Sequence, residues 1–345
     1  MLGVGIIGCG AIARLHIQSF LELPQTRIAA VADAYEPAAK KAGQELDVPC
    51  YTDFREMLAR EDVQVVSICT PSGLHSEAAV AAARAGKHVI VEKPLDVTLE
   101  KINAVIDACR EAGVKLNCIF NNRYRESNIF LKRAVEQGRF GRLLNANAII
   151  RWYRQPEYYT QSSWHGTWAM DGGGALMNQS IHYIDLLLWL AGDVADVSAY
   201  RGTLLHKTME TEDTAAAALR FQNGALGTVL AATSIYPGYP AVIQLAGERG
   251  SASVTDGIIL DWNFLDSDPL DEEARQFITN GAVDNNRAAV PMAFDHTYHK
   301  KQIARAVDSI LQDVQPDIGG PEARKSVELI LRIYDSAAKN ERQRV

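Results

Sequence analysis

The segment MDGGGALMNQSIHYID, residues 170–185, combines three glycines with polar side chains in an otherwise apolar run. At about 100° per residue, one stripe of a predicted helix carries Asn178, His182, Asp185 and Trp189. Buried polar groups need partners, so this stripe is expected to face a cavity or a ligand. His182 can accept a proton from a substrate hydroxyl near neutral pH, with Asp185 fixing its tautomer. The glycines are expected to let bound ligands approach the backbone.

A second candidate for proton transfer is Lys93, which lies between Glu92 and Pro94 directly after an apolar strand pattern. Ligands of open parallel sheets bind beyond the carboxyl ends of the strands, where this lysine is predicted to lie. Lys93 can act there as a general acid–base or as a donor that orients a hydroxyl. The alternative interpretation is a surface lysine in a strand–helix turn.

The first 120 residues alternate short β-branched runs with helical stretches rich in Ala, Glu and Lys. This alternation predicts an α/β Rossmann domain with a doubly wound parallel sheet. The predicted strands are Gly3–Ile7, Arg27–Ala32, Val63–Cys69, His88–Val91 and Val114–Ile119. Their carboxyl ends are expected to position Lys93 and the other site residues along one edge of the sheet.

After about residue 125 the pattern changes to a succession of strands separated by turn signals. We predict an α+β C-terminal domain with a large open, mostly antiparallel sheet. Its predicted strands are Leu143–Arg154, Val194–Leu205, Thr214–Phe221, Ala225–Ser234, Val242–Gly247 and Ser251–Leu260. We place the domains at 1–123 and 124–345, with closing helices near 297–312 and 322–338. Packing of the last helix back onto the first domain is left open.

The composition excludes several classes of partner. The 345 residues carry a net charge of −7, whereas nucleic acids and anionic membranes attract a basic face. No apolar run reaches the roughly 18 residues needed to span a bilayer. The five cysteines show no CxxC spacing, so reduced core thiols in the cytoplasm are expected. His296 and His299 lack an apparent third ligand, and we predict no metal site.

The first predicted strand leads into the sequence GCGAIA and then a helical pattern. This GxGxxA arrangement allows a tight turn, close approach of a pyrophosphate, and helix–strand packing. The predicted cofactor contacts of the loop are Gly8, Cys9, Gly10, Ala11 and Ile12. Asp33 ends the next strand, where its carboxylate can accept hydrogen bonds from ribose hydroxyls and would repel a 2′-phosphate. The sequence therefore predicts NAD as the cofactor and disfavours NADP.

Four motifs together resemble the glucose–fructose oxidoreductase / inositol dehydrogenase (Gfo/Idh/MocA) family. They are the GxGxxA loop with its aspartate, Thr-Pro-x3-His at 70–75, Glu-Lys-Pro at 92–94, and GGGxxxNxxxHxxD at 172–185. The resemblance implies a Rossmann domain followed by a domain on a large open sheet that often forms oligomer contacts. A homodimer or homotetramer through the C-terminal sheet is therefore expected.

The resemblance also implies site residues. Lys93 would be catalytic, and Glu92 would contact the nicotinamide ribose. Further cofactor contacts are expected at Thr70, Pro71, His75, Lys93, Pro94, Asn121 and Trp164. The Lys93–Pro94 bond would be compatible with the cis isomer. Trp164 lies in SWHGTW, which resembles a relative's SWRGTW with His165 in place of the arginine.

The implied reaction is hydride transfer between NAD and a secondary hydroxyl of a sugar, cyclitol or nucleotide sugar. The predicted substrate-binding residues are Lys93, Asn178, His182, Asp185, Arg123 and Tyr153. Many relatives, including inositol dehydrogenases, have aspartate at the position of Asn178. An amide cannot take a proton, which leaves His182 or Lys93 as the base. Asparagine is more similar to members that act on nucleotide-linked N-acetylamino sugars at the 3-hydroxyl.

Two other functions fit the same residues. An NAD-retaining, redox-neutral glycosidase would oxidise, eliminate, add water and re-reduce with a nearly identical site. A non-catalytic NAD-binding regulatory protein would keep the cofactor site alone. The presence of both Lys93 and His182 argues against the regulatory protein.

Overall fold

The computed structural model describes residues 1–278 and 296–345, which divide into two compact units. The first unit contains Met1–Asn121 and the described residues from His296 to Arg324. The second unit contains the described residues from Asn122 to Ile278, together with Lys325–Val345.

Strands and helices of the described residues follow one another in this order. The strands are β1 (Leu2–Ile7), β2 (Thr26–Ala32), β3 (Cys50–Tyr51), β4 (Val65–Ile68), β5 (His88–Val91), β6 (Leu116–Cys118), β7 (Leu143–Arg151), β8 (Val194–Gly202), β9 (Thr214–Phe221), β10 (Leu226–Ala232), β11 (Val242–Gly247), β12 (Gly250–Thr255), β13 (Ile258–Phe264) and β14 (Gln343–Arg344). The helices are α1 (Ala11–Leu21), α2 (Glu36–Leu46), α3 (Phe54–Leu58), α4 (His75–Arg84), α5 (Leu99–Glu111), α6 (Glu126–Glu136), α7 (Glu157–Thr160), α8 (Ile181–Ala191), α9 (Pro269–Ala274), α10 (Thr297–Leu311) and α11 (Gly320–Lys339). Turns of 3₁₀-helix lie at Ser72–Leu74 and Asn121–Tyr124, and a π-helical segment at Ala175–Ser180.

The first unit is built on a six-stranded sheet with the order β3-β2-β1-β4-β5-β6. All neighbouring strands are parallel, as the alternation of strand and helix patterns predicts. The order reverses between β1 and β4, so the connecting loops leave a crevice at the carboxyl ends of these strands. The predicted doubly wound fold is confirmed, with the two-residue edge strand β3 in addition.

The core of the first unit forms between this sheet and its covering helices. Val4, Ile6 and Val65 of the central strands are fully buried, as parallel strands covered on both faces must be. Helix α10 adds Ile303 and Val307 to the same core, although it begins 179 residues after the end of β6, the last strand of the sheet. The first unit therefore depends on a segment from the far end of the chain.

The second unit carries an eight-stranded sheet in the order β13-β12-β11-β7-β10-β9-β8-β14. All its neighbouring strands are antiparallel except the parallel pair of β7 and β10. One prediction is wrong: the single strand Ser251–Leu260 is a hairpin of β12 and β13. Asp256 and Gly257 form its turn with φ of 39° and 93°, which is the Asp-Gly signal for a tight hairpin.

Three expectations from composition and pattern can be compared with the structure. None of the helices in the described ranges is long and apolar enough to cross a membrane. The five cysteines, all in described positions, are free thiols, of which Cys50 alone is exposed. The polar sequence of residues 266–290 predicts an irregular surface segment; the structure places α9 within it, and its part beyond residue 278 lies outside the described residues.

Candidate active site

Predicted cofactor residues of the first unit follow the carboxyl ends of five strands. Gly8 follows β1, Asp33 follows β2, Thr70 follows β4, Glu92 follows β5, and Asn121 follows β6. Because the strands are parallel, these ends share one edge of the sheet. The fold thus brings together residues that are more than 100 positions apart in the sequence.

The two glycines of the loop between β1 and α1 differ in their backbone conformation and in their surroundings. Gly8 has φ of +88°, and a Cβ there would lie 2.6 Å from the carbonyl oxygen of Cys69. Gly10 has an ordinary φ of −76°, and nothing described lies within 4 Å of the place of its missing Cβ. Protein packing therefore explains Gly8 but leaves the space at Gly10 open. An approaching pyrophosphate fits this space, beside α1 amides that no side chain caps.

Asp33 is held by two backbone amides. Its Oδ2 accepts a hydrogen bond from the amide of Cys9 at 2.8 Å, and its Oδ1 accepts one from Tyr35 at 2.8 Å. Each oxygen keeps a further lone pair, which suits a pair of ribose hydroxyls. Burial and the nearby Asp33 raise the pKa of the Cys9 thiol to about 12. Cys9 therefore contributes its main chain to this loop and stays protonated.

His75 connects two loops at the cofactor edge. Its Nδ1 lies 2.7 Å from the carbonyl oxygen of Pro94, and its Nε2 lies 2.9 Å from that of Thr70. Burial lowers the pKa of His75, so the ring is neutral at pH 7 and has one N–H to donate. This single N–H can bind only one of the two carbonyls, and the shorter distance favours that of Pro94. The contact of His75 with a cofactor stays a prediction.

Glu92 is buried within a network of histidines. Its Oε1 accepts a hydrogen bond from Nε2 of His16 at 2.8 Å and lies 3.4 Å from Nε2 of His299. Its Oε2 accepts a hydrogen bond from the amide of Lys93 at 3.1 Å. We call His16, Glu92 and His299 the His–Glu–His network. The Lys93–Pro94 bond is cis, as the resemblance implies, and Lys93 is half-buried.

The His–Glu–His network was not predicted from the sequence. No chemistry was expected for His299, and His16 was not singled out, yet both are buried. The amide nitrogen of Asn121, predicted as a cofactor contact, lies 3.0 Å from Nδ1 of His299. The signal for His299 was its spacing from the buried Gln302 and Ile303 on one face of α10.

In the second unit, the helix predicted within residues 170–185 does not begin as an α-helix. Ala175–Ser180 forms a π-helical segment, and the α-helix starts only at Ile181. The amide of Gln179 bonds the carbonyl of Gly174 five residues earlier, at 3.4 Å. The wider turn means that Asn178 and His182 are not related by an ordinary α-helical step. Such π-turns are frequent at functional sites.

Asp185 has a partner that the sequence did not suggest. Its carboxylate accepts hydrogen bonds from Nε and Nη2 of Arg123, at 2.7 Å and 2.6 Å. The guanidinium of Arg123 also lies over the ring of Trp189, 5.5 Å from its centroid. Asp185 therefore fixes Arg123, a predicted substrate contact, and its proposed effect on the tautomer of His182 stays a prediction.

Asn178 belongs to a chain of polar contacts. Its amide nitrogen donates to Asp171, and its amide oxygen accepts from Nε2 of Gln179 at 2.9 Å. The other oxygen of Asp171 accepts a hydrogen bond from the amide of Gly166 at 2.8 Å. The orientation of Asn178 is thus linked to the SWHGTW segment, in which Trp164 and His165 lie. A substituent at position 178 will also affect that loop.

Two glycines of residues 170–185 lie so close to neighbouring protein atoms that a side chain would not fit. A Cβ at Gly173 would lie 2.0 Å from the hydroxyl of Tyr334, and one at Gly174 would lie 2.1 Å from the carbonyl oxygen of Glu212. The carboxylate of Glu212 accepts from the amide of Leu176 at 2.8 Å and from the Tyr334 hydroxyl at 2.9 Å. Our expectation that these glycines serve ligand approach is therefore corrected: at Gly173 and Gly174, internal packing already requires them.

Two of the predicted binding residues, one for the substrate and one for the cofactor, are aromatic and pack against other rings. Tyr153 packs edge-on against Tyr236, with centroids 5.3 Å apart, and Trp164 packs at a tilt against His165 at 4.0 Å. The ring of His165 stacks on Tyr158 at 4.4 Å and 9°. These rings offer apolar faces of the kind that pyranose rings contact.

A dinucleotide loop at the switch point of a parallel sheet, followed by a lysine turn, defines the class of nicotinamide-dependent oxidoreductases. Residues 2–120 match the family model for the oxidoreductase family with an NAD-binding Rossmann fold, GFO_IDH_MocA, and residues 129–253 match the GFO/IDH/MocA C-terminal domain. The chain belongs to the GFO/IDH/MocA family, and the predicted family, fold class and NAD cofactor are confirmed.

Known relatives agree with this assignment. The structure of the WlbA dehydrogenase from Bordetella pertussis, in complex with NADH and UDP-GlcNAcA, is similar with a TM-score of 0.91 and 33% identity. The match covers 100% of this chain and 97% of that one. Among curated proteins, the uncharacterized oxidoreductase YrbE of Bacillus subtilis is 30% identical over 260 residues, 72% of each chain. The myo-inositol 2-dehydrogenase of Thermotoga maritima is 29% identical over 253 residues, 72% of this chain and 73% of the relative.

Proposed function

We propose that this NAD-dependent dehydrogenase oxidises the 3-hydroxyl of a UDP-linked N-acetylamino sugar acid. The observation that carries the proposal is the full-length match to the WlbA dehydrogenase, whose structure contains NADH and UDP-GlcNAcA. The inositol dehydrogenase of Thermotoga maritima matches over 72% of the chain. Asn178, at a position where inositol dehydrogenases have aspartate, supports the same choice because an amide can bind an acetamido group.

Lys93 and His182 are the candidates for the proton acceptor. Bound NAD⁺ would supply the acceptor for the hydride of the carbinol carbon. Conversion of the alcohol to a ketone then requires a base of this chain to take the hydroxyl proton. A lysine amine and an imidazole both suit this transfer at neutral pH. Either residue can fill the role, and the other then orients the hydroxyl.

Other site residues receive supporting roles in this proposal. The cofactor contacts are Gly8, Cys9, Gly10, Ala11, Ile12, Asp33, Thr70, Pro71, His75, Glu92, Lys93, Pro94, Asn121 and Trp164. Substrate contacts are Lys93, Asn178, His182, Asp185, Arg123 and Tyr153. Arg123 is supported by the buried carboxylate of Asp185, which orients its guanidinium. Arginine also suits the anionic groups of a sugar nucleotide.

A homodimer or homotetramer through the eight-stranded sheet is the proposed assembly. An apolar row crosses four strands at Tyr200, Ala216, Leu230 and Ile149, which are paired in register. Tyr200 is 78% exposed, while the opposite face of the sheet buries Ala217 and Val229. Such an apolar row on an open sheet fits contact with a second copy. Sedimentation equilibrium tests the assembly, and Tyr200→Lys is expected to dissociate it.

The free cysteines support a reducing compartment as the site of action. Cys69, Cys109 and Cys118 are buried thiols, and none of the five cysteines forms a disulfide. Proteins of oxidising compartments commonly use such residues for cross-links. We accordingly propose the cytoplasm.

NADH formation at 340 nm, measured over a panel of alcohols, tests the substrate. The panel contains UDP-GlcNAcA, UDP-GlcNAc, myo-inositol and levoglucosan, each with NAD⁺ and with NADP⁺. UDP-GlcNAcA is expected to give the highest kcat/KM, and Lys93→Ala to abolish turnover while NAD still binds. Highest activity on myo-inositol would overturn the nucleotide-sugar proposal. Cleavage of a chromogenic glycoside without added NAD or released NADH would favour the redox-neutral glycosidase.

A further inference from the structure

We propose that His16, Glu92 and His299 act as positioning residues for Lys93, by fixing the main chain on which the lysine is carried. This inference rests on the proposed function of Lys93 in proton transfer. It assigns a role to two histidines that stand outside the family motifs quoted above.

The contact that transmits the effect is the hydrogen bond from the Lys93 amide to Oε2 of Glu92, at 3.1 Å. The other carboxylate oxygen faces Nε2 of His16 at 2.8 Å and Nε2 of His299 at 3.4 Å. Glu92 is 5% exposed, and His16 is fully buried. With both oxygens engaged, the carboxylate cannot rotate, so the turn at Lys93 is held from its amino-terminal side.

The contacts of each histidine fix which nitrogen carries the proton: for His16 the deciding partner is the carboxylate of Glu92, which can only accept, and for His299 it is the amide of Asn121. Nδ1 of His16 lies 2.7 Å from the hydroxyl of Ser67, which can donate to it. Nδ1 of His299 lies 3.0 Å from the amide nitrogen of Asn121, which can only donate. Both rings therefore direct an Nε2–H toward Glu92. These donors hold the pKa of Glu92 well below its usual value although burial opposes ionisation.

Helix α10 is anchored so that His299 stays in place. Three residues along the helix, the buried side chain of Gln302 accepts from the amide of Phe120 at 2.9 Å and donates to the carbonyl of Cys118 at 2.7 Å. Gln302 thereby completes the open edge of β6, next to β5. The helix that carries His299 is thus bonded to the sheet that carries Glu92.

The carboxyl-terminal side of the same turn is also held. The carbonyl of Pro94 lies 2.7 Å from the buried ring of His75. The oxygens of Asp96 accept from the amides of Ser76 and Val97, at 3.0 Å and 2.6 Å. Since His75 and Asp96 fix the main chain on the carboxyl-terminal side of Lys93, the remaining mobility of the turn depends on the His–Glu–His network on its amino-terminal side. Small displacements of a reacting group cost about 100-fold in rate, so this freedom matters for catalysis.

A metal ion is the alternative occupant of the same three side chains. Their ligand atoms lie within 4.8 Å of one another. Binding through Nε2 would require both Nε2 atoms to be deprotonated. The donor from Asn121 to Nδ1 of His299 places the proton on Nε2 instead, which favours the hydrogen-bonded network over a metal centre.

Four variants of the full-length protein test the proposal. Glu92→Gln removes the charge at constant size, and His299→Leu removes one donor at the edge of the network. His299→Gln restores a side-chain N–H donor and is expected to rescue the leucine variant. His88→Leu is the matched control, because His88 begins strand β5, whereas Glu92 follows its other end.

Amide hydrogen exchange at Lys93 is the readout that needs no substrate or cofactor. We expect exchange about tenfold faster in Glu92→Gln and His299→Leu, and unchanged in His88→Leu and His299→Gln. In turnover, kcat is expected to fall about 10- to 100-fold for the first two variants. The dissociation constant of His299→Leu for NAD is expected to change by less than about threefold, because its effect passes through the lysine, whereas Glu92→Gln also alters a proposed cofactor contact.

Three results would overturn the proposal. One is unchanged exchange at Lys93 in both Glu92→Gln and His299→Leu. Another is an NAD affinity at least about tenfold weaker in His299→Leu with kcat retained, which would mean that the histidine serves cofactor binding and not the position of Lys93. The third is about one metal ion per chain, measured by plasma mass spectrometry and lost in both variants. Absence of wild-type turnover with every alcohol would instead contradict the proposed function, while the exchange measurement would still test the network.

Discussion

Arg123 donates two hydrogen bonds to the carboxylate of Asp185, from Nε at 2.7 Å and from Nη2 at 2.6 Å. The side chains are 7% and 2% exposed, so the pair is almost completely removed from water. Loss of one partner leaves an uncompensated buried charge, whereas loss of both leaves none. The pair also joins the 3₁₀ turn Asn121–Tyr124 to helix α8, which carries His182.

Asp185→Asn is expected to lower the free energy of unfolding by about 3–5 kcal/mol, because Arg123 would lose its counter-charge in a buried place. Urea denaturation at pH 7 measures this loss. The exposed pair of Arg110 and Asp107 provides the control, and Asp107→Asn should cost about 1 kcal/mol or less. The double variant Arg123→Met, Asp185→Leu should recover most of the loss. A cost below about 1 kcal/mol for Asp185→Asn would contradict the assignment.

Gly10→Ala is expected to weaken NAD binding at least about tenfold, or about 1.4 kcal/mol, without loss of thermal stability. The added Cβ would occupy space that no described protein atom fills, and the backbone angle of Gly10 suits alanine. Isothermal titration with NAD and a thermal melt measure the two effects. Gly8→Ala is the contrasting variant, since φ of +88° and the Cys69 carbonyl oppose any side chain. It should lower the melting temperature, and equal behaviour of the two variants would refute the distinction.

Asp33→Ser is expected to raise the ratio of kcat/KM for NADP⁺ to that for NAD⁺ about 100-fold. The substitution removes a negative charge that repels the 2′-phosphate and an acceptor for the ribose hydroxyls. A serine hydroxyl can still accept from the amide of Cys9, so the loop should persist. Asp53→Ser changes an exposed carboxylate of the same unit and should leave the ratio unaltered. An unchanged ratio in Asp33→Ser would place the ribose elsewhere.

Glu212→Gln is expected to gain stability relative to the wild type as the pH rises above about 4.5. Burial raises the pKa of Glu212 above its unfolded value, although several hydrogen bonds oppose the shift. The folded state then holds a proton that the unfolded state has lost, and wild-type stability declines toward the folded pKa. Glutamine keeps the main acceptor oxygen and does not titrate. Unfolding free energies of both proteins at pH 4 and pH 7 test this, and a difference independent of pH would disprove it.

Local sequence signals predicted the first unit well. The β-branched runs of β1, β2, β4 and β5 are almost continuous, because strands covered on both faces must be apolar throughout. The edge strand β3 has two residues, too few for any periodicity. The hairpin at Asp256-Gly257 was signalled by its turn residues, but the strand pattern on either side concealed it.

Site residues were predicted correctly in position where a short, continuous motif identifies them. Lys93, Gly10 and Asp33 each lie in such a segment. The contacts of Glu92 could not be predicted in the same way, because His16 and His299 come from different helices and are 283 positions apart in sequence. The π-helical segment before His182 was equally hidden, since its six residues are too few for a change of period to show in the apolar spacing.

The hydroxyl of Tyr334 fills the space that a side chain at Gly173 would occupy, and it bonds to Glu212 behind the same segment. Three segments pack together here: residues 170–185, the helix that carries Tyr334 and the loop that carries Glu212. Grafting residues 170–185 into another family member would therefore transfer only one of them. A working chimera has to bring the matching tyrosine of the C-terminal helix and the glutamate before β9. Recombination libraries that exchange substrate specificity should keep these three segments from a single parent.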